Sequence, residues 1–266
     1  MRNYPLHLCQ PDNTKSCGAC CGLYNFEDHV RATLVSLLER RTKLFLSPGE
    51  KPDVSGYRRK VKEFPPAPKL CETIYNCEFL GFVDREHRKV GCLLHPLLHH
   101  GIDLRTCSFY GAQLCRDHFC ISFTCLTPAE QGAVIGSLDD WYLYGLVITD
   151  VDFVKAFFTH VQNRLGDCLR VDRLSTIPVQ TALRDFFELK SAWKFLSSTR
   201  RLGKYYFSQA EYRIARLAYK KTWGMEPSRF DTIFMSLASV FESEDDVREA
   251  ESIIEEKISR FIEAYR

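Results

Sequence analysis

The sequence predicts a mainly α-helical protein with a small, loop-rich cysteine module that contains a β-hairpin. Two observations support this fold class. Apolar residues recur at helical spacing through the second half of the chain, and cysteines concentrate in the first half. The chain has 266 residues and 12 cysteines, all but one of which precede residue 126. We therefore predict two domains, a cysteine-rich module at residues 1–126 and a helical domain at residues 127–266.

The overall composition is that of an ordinary globular chain. Hydrophobic residues make up 45% of the sequence and charged residues 26%, so a core can form without disulfides. The 36 basic and 34 acidic side chains give a net charge of +2, which is too weak to indicate a nucleic-acid partner. No run approaches the roughly 20 apolar residues of a membrane span, and no apolar signal-peptide stretch is present near residue 1. We expect a cytoplasmic protein without a membrane partner.

Local patterns predict the elements of the first half. Apolar residues at helical spacing predict an amphipathic helix over 27–46. The proline-rich, basic segment 48–69 is interpreted as a solvated, extended connector. Two short apolar runs, 79–83 and 89–94, flank a charged turn and predict a hairpin. Cys77 precedes the first run and Cys92 lies in the second, so neighbouring strands present two sulfurs.

Helix-start signals recur after residue 126. A capping Thr127 is followed by Pro128 and, three residues after the cap, by Glu130. Further helices are predicted at 149–161, 178–197, 208–222 and 227–241, and a last one after Ser243, where the first turn is acidic. The second half is thus predicted to be a helical bundle that offers a surface to an unknown protein partner. Cys168 lies on an apolar helix face and is predicted to be a core residue.

The crowding of cysteines without an export signal favours metal ligation over disulfides, because cytosolic thiols stay reduced. The strongest local signal is Cys17-Gly18-Ala19-Cys20-Cys21. A Cys-x-x-Cys turn places two sulfurs within reach of one metal, and glycine lets main-chain N–H groups turn toward the thiolates. One turn cannot complete a four-coordinate site. The remaining predicted ligands are Cys77, Cys92, Cys107, Cys115, Cys120 and Cys125.

The last three of these cysteines are five residues apart, which is about 140° on a helix. They would therefore share a metal only if Cys115, Cys120 and Cys125 lie in a loop. Cys9 and Cys71 receive less weight as ligands.

Four strings of residues resemble, in the same order, the pattern of the YkgJ-type cysteine-cluster family over about residues 9–125. They are Cys17-Gly18-Ala19-Cys20-Cys21, Cys77-Glu78-Phe79-Leu80, Gly91-Cys92-Leu93-Leu94 and Leu104-Arg105-Thr106-Cys107. That family is described as a zinc- or iron-chelating domain, and the related flagellin lysine methylases are thought to hold a [4Fe–4S] cluster. Thr14 stands where the family has its first cysteine, so that ligand is absent unless Cys9 substitutes.

We expect a metal-binding protein that holds an iron–sulfur cluster, [4Fe–4S] by the resemblance, in a redox, sensing or group-transfer role. All-thiolate ligation suits iron–sulfur clusters and structural zinc alike, and cysteine spacing does not separate them. One alternative is a zinc-stabilised interaction protein without catalysis. The other, implied by the resemblance alone, is a methyltransferase-like enzyme similar to the flagellin lysine methylases. The sequence indicates no catalytic residue, and whether the protein is an enzyme stays open.

Overall fold

The computed structural model describes residues 7–46, 52–197, 219, 222 and 224–266. The described part is mainly helical and includes a small two-stranded antiparallel sheet, which confirms the predicted fold class. The chain divides into two compact units, Met1–Phe119 with Asp140–Gly145 and Cys120–Asp139 with Leu146–Arg266. The chain thus leaves the first unit after residue 119, whereas the sequence placed the domain boundary after residue 126.

The first unit holds the hairpin and the cysteine-bearing loops. Its regular elements are α1 (Arg31–Phe45), α2 (Val54–Lys62), β1 (Leu80–Phe82), β2 (Val90–Cys92) and the helix Gly111–Asp117. Short 3-10 turns lie at Ala19–Cys21, Pro96–Leu98 and Arg105–Cys107. The predicted helix over 27–46 is confirmed as α1. The predicted hairpin is confirmed with shorter strands, in a register that sets Gly81 opposite Gly91.

The basic segment 48–69 is not the extended connector that its prolines predicted, because α2 occupies its centre. Asp53 caps this helix by accepting a hydrogen bond of 2.8 Å from a main-chain N–H of the first turn. Tyr57 is 2% exposed, and its hydroxyl donates to the Glu78 carbonyl oxygen at 2.5 Å. Buried Tyr57, together with the partly buried Val54 and Val61, therefore anchors this basic helix to the core.

An aromatic core lies between α1, α2 and the hairpin. The ring centroid of Phe45 is 5.0 Å from that of Tyr57 and 6.0 Å from that of Phe79, both edge to face, a favourable geometry for aromatic pairs. Cys77 belongs to the same buried cluster, against which Cys21, Cys92 and Cys107 also pack. The core of the first unit thus extends directly to the cysteines.

The second unit is helical. Its elements are Ile121–Cys125, Pro128–Ser137, Val151–Leu165, Val171–Leu174, Ile177–Phe187, Leu189–Ala192, Asp231–Ser236 and Glu244–Tyr265, and the helix Trp141–Ile148 begins in the first unit and ends in the second. Capping boxes at Thr127 and Ser243 confirm two predicted helix starts. The helix predicted over 178–197 is divided in two, and 227–241 is helical only in part. The helix predicted over 208–222 lies outside the described residues, apart from two isolated positions.

None of the described helices is both long and apolar enough to cross a membrane.

Cys168 is exposed, so the prediction that it is a core residue is wrong. The helix Val151–Leu165 ends at Gly166, which caps it with φ +69° and ψ +13°. Glycine adopts this left-handed conformation without strain and is common just after a helix. Cys168 follows two residues later and is no longer on the helix face that its sequence position implied.

A buried ion pair lies in the core of the second unit. Lys190 Nζ is 2.5 Å from Asp150 Oδ2, and both side chains are fully buried. The same ammonium donates to the Ser236 carbonyl oxygen at 2.8 Å and lies 5.1 Å from the ring centroid of Phe153. The two buried charges thus compensate each other within a set of further polar and aromatic contacts.

Replacing Lys190 with alanine should lower the free energy of unfolding by about 3–5 kcal/mol, because Asp150 would keep an uncompensated buried charge. The matched control is Lys194→Ala, which removes the exposed ion pair with Glu249 and should cost at most about 1 kcal/mol. Urea denaturation followed by circular dichroism measures both values. Equal losses in the two variants would contradict this account of the core.

Candidate metal centre

The loop that carries Cys17, Cys20 and Cys21 contains a tight 3-10 turn, Ala19–Cys21. The Ala19 N–H donates to Cys17 Sγ at 3.5 Å, and such donors stabilise thiolate charge. Gly22 ends the turn with φ +83°, and a Cβ at this position would lie 2.6 Å from the Tyr75 carbonyl oxygen. Only glycine fits here, because both the conformation and the space exclude a side chain.

Two main-chain hydrogen bonds bring further cysteines to this loop. The Cys77 N–H donates to the Cys21 carbonyl oxygen at 2.9 Å, and the Cys17 N–H donates to the Cys9 carbonyl oxygen at 2.9 Å. Cys77 comes three residues before β1, and Cys92, at the end of β2, pairs with the first residue of β1. Both hairpin cysteines therefore lie at the same end of the hairpin.

The thiols of Cys21, Cys77 and Cys92 lie in one desolvated neighbourhood. Burial raises the pKa of Cys21 well above its ordinary value, and the thiols of Cys77, Cys20, Cys9 and Cys92 raise it further. Burial is also the main cause at Cys77, whose pKa rises to about 12, and at Cys92, whose pKa rises to about 11. These groups are neutral at pH 7 and become thiolates only where a cation compensates their charge.

Two arginines hold the main chain around these thiols. Arg41 Nη1 donates to the Cys77 carbonyl oxygen at 3.0 Å, and Arg58 Nη2 donates to the Cys107 carbonyl oxygen at 2.5 Å. Hydrogen bonds from charged donors are stronger than those between neutral groups. The segments that carry Cys77 and Cys107 are therefore fixed against α1 and α2.

The predicted ligands of the first unit differ in how closely the structure brings them together. The thiols of Cys20, Cys77 and Cys92 each raise the pKa of Cys21, and Cys107 packs against the same core. The Cys115 thiol raises the pKa of Cys92. Cys115 Sγ lies 3.3 Å from Ser108 Oγ. Cys17 lies just before the turn Ala19–Cys21, and its Sγ accepts the Ala19 N–H.

Cys120 and Cys125 belong to the second unit. Cys120 precedes the short helix Ile121–Cys125 and Cys125 ends it, while Cys115 lies in the separate helix Gly111–Asp117. A metal shared by all three cysteines required them to lie in one loop. The structure has two helices there instead. A ligand role for Cys120 and Cys125 stays a prediction.

Cys9, which received less weight from the sequence, also lies beside the cysteine loop. Its carbonyl oxygen accepts the Cys17 N–H, and its thiol raises the pKa of Cys21, after the larger effects of burial and of the nearer cysteines. The signal for Cys9 was the missing family cysteine at Thr14, for which Cys9 is the upstream candidate.

Two histidines near the hairpin, His95 and His99, contact the main chain. His95 Nδ1 accepts from the Leu97 N–H at 3.3 Å and so caps the turn Pro96–Leu98. His99 is buried, and its Nε2 lies 2.6 Å from the Leu93 carbonyl oxygen. The soft donors near the hairpin are the cysteine sulfurs, which favour soft metals.

Among the described residues, no group of three or more His, Cys, Asp and Glu side chains is already arranged to hold a metal ion. All twelve cysteines lie in the described part and are thiols there. Two features nevertheless fit a thiolate-bound metal: the clustered, desolvated thiols, and the buried Asn76 Nδ2 donor, which has no acceptor in the described structure.

Comparisons with known proteins gave no match to a family model, to a curated protein or to a solved structure. The resemblance to the YkgJ-type family therefore depends on the cysteine strings alone.

In chelator-treated protein, Cys21, Cys77 and Cys92 should alkylate slowly at pH 7, because the thiolate is the reactive form and the raised pKa values keep these thiols protonated. Their rates should increase as the pH approaches about 11, the value for Cys92. Mass spectrometry of iodoacetamide-treated protein measures each site, with exposed Cys168 as the fast control. Labelling of all three at the Cys168 rate at pH 7 would contradict this description.

Proposed function

We propose that the first unit binds a metal through cysteine thiolates, and that the metal is an iron–sulfur cluster in a redox, sensing or group-transfer role. The observation that carries the proposal is the group of thiols around Cys21, those of Cys77, Cys20, Cys9 and Cys92, beside the aromatic core. These five thiols are enough to supply the four thiolates that a [4Fe–4S] cluster takes. A structural zinc site takes the same number.

The chain would contribute thiolates, N–H donors and an apolar surface that excludes water to such a centre. Cys21, Cys77 and Cys92 would hold the metal together with Cys20, and the Ala19 N–H would support the sulfur of Cys17. Fully buried Phe79 excludes water on the core side. An iron–sulfur cluster supplies one-electron transfer when bound, at a potential that hydrogen bonds to sulfur and solvent exposure adjust.

A zinc-stabilised interaction protein is the second candidate, and exposed apolar side chains favour it. Five large apolar residues between 97 and 119 are more than 40% exposed, namely Leu97, Ile102, Phe109, Leu114 and Phe119. Exposed apolar side chains mark an interaction site where they form one contiguous patch. This set lies in the first unit, whereas the sequence indicated the helical half as the partner surface. The methyltransferase-like alternative has only the resemblance in its support.

Replacing Cys21 or Cys77 with serine should remove most of the bound metal, because a hydroxyl is a poor ligand for a soft metal. Cys168→Ser is the matched control and should retain the wild-type metal content, since Cys168 is exposed in the second unit. Elemental analysis of anaerobically purified protein measures the metal content.

The colour of the wild-type protein separates the two candidates. Brown protein with broad visible absorption and iron supports the cluster, and colourless protein with stoichiometric zinc supports the second candidate. Wild-type metal content in both the Cys21 and the Cys77 variants would overturn the assignment.

A further inference from the structure

Asn76 carries a side-chain donor without an acceptor. Its Nδ2 is shielded from solvent and has no hydrogen-bond partner in the described structure. Buried polar groups are nearly always hydrogen-bonded, and an exception points to a partner that is not part of the protein chain. The side chain is otherwise well fixed, so the exception needs a physical explanation.

The neighbouring Asn25 sets the orientation of the Asn76 amide. The Cys71 N–H donates to Asn25 Oδ1 at 3.0 Å, which identifies the other terminal atom of Asn25 as its nitrogen. That nitrogen donates to the carbonyl oxygens of Cys71 and Ile74 and, at 2.7 Å, to Asn76 Oδ1. Turning the Asn76 amide over would place two donors against each other. The Asn76 nitrogen therefore faces away from Asn25.

Asn76 lies where the cysteine loop meets the hairpin. It directly precedes Cys77, whose N–H donates to the Cys21 carbonyl oxygen. A Cβ built on Gly22, the residue after Cys21, would be 2.7 Å from the Asn76 Cα and 3.0 Å from its Oδ1. The Asn76 side chain is thus adjacent to the main chain of both cysteine segments.

Resting on the proposed function, we propose that Asn76 is a positioning residue whose Nδ2–H donates to a sulfur of the bound metal centre. A neutral thiol is a weak acceptor, whereas a thiolate or a cluster sulfide carries the negative charge that attracts an N–H donor. The acceptor therefore forms only when a metal replaces the thiol proton. This explains why the donor is buried and yet has no protein partner.

The test compares Asn76→Leu with the wild-type protein. Leucine has a similar branched shape and neither donor nor acceptor. Loss of an outer-shell hydrogen bond lowers metal affinity by about 10- to 100-fold, which competition with a chelator measures. In an iron–sulfur protein the reduction potential should also become more negative, since N–H···S bonds stabilise the reduced cluster. In a zinc protein, cobalt(II) substitution reports the same contact through a shift of its thiolate charge-transfer band.

Two further variants separate a donor role from a structural one. Asn76→Asp keeps the oxygen that Asn25 uses, loses the donor and adds a carboxylate charge, so it should change the potential or the band in the same direction as Asn76→Leu and by more. Asn25→Leu removes the contact that orients the Asn76 amide but retains the donor, so its shift should be smaller than that of Asn76→Leu. Equal shifts in the Asn25 and Asn76 variants would overturn the proposal.

Metal analysis of the wild-type protein separates this proposal from the proposed function. Anaerobically purified protein without thiolate-bound metal would reject both. A metal-containing wild type whose potential or charge-transfer band is unchanged by Asn76→Leu and Asn76→Asp would reject the role of Asn76 and leave the metal site in place.

Discussion

The hydrogen bond from the Cys77 N–H to the Cys21 carbonyl oxygen joins the cysteine loop to the hairpin, and the rest of the candidate site depends on it. Gly22 is required because any side chain there would collide with the main chain of Tyr75 and Asn76, which this hydrogen bond brings close. Arg41 occupies the Cys77 carbonyl oxygen, so both polar main-chain groups of Cys77 are satisfied. The thiol of Cys77 then lies against the aromatic core, and burial there raises its pKa. The packing of Cys77 and the raised pKa of its thiol thus both depend on the hydrogen bond between Cys77 and Cys21.

The two units are stabilised in different ways. The second has long capped helices and a core in which the Phe157 ring centroid lies 4.3 Å from that of Phe186, together with the buried Lys190–Asp150 pair. The first has a two-stranded hairpin, which is marginal in water on its own, short turns and thiols within its core. A ligand that binds only the folded state adds its binding free energy to stability. A metal would therefore contribute to the stability of the first unit, while apolar packing suffices for the second.

The features that the sequence predicted correctly are those whose causes lie within a few residues. The capping box that begins at Thr127 is complete in four positions, and the hairpin is marked by its own alternating runs and turn. The errors involve contacts between distant positions. Helix α2 forms because Tyr57 packs against Phe45 and bonds to the hairpin. The orphan donor of Asn76 has no sequence signal, because it depends on the orientation that Asn25 imposes.

The central claim is that cysteine thiolates of the first unit bind a metal, and X-ray absorption spectroscopy at the metal edge tests it most directly. The measurement uses the anaerobically purified full chain and counts the atoms bound to the metal. The account predicts a shell of about four sulfur atoms at roughly 2.3 Å, whether the metal is zinc or the iron of a cluster. A shell dominated by nitrogen or oxygen ligands would contradict it.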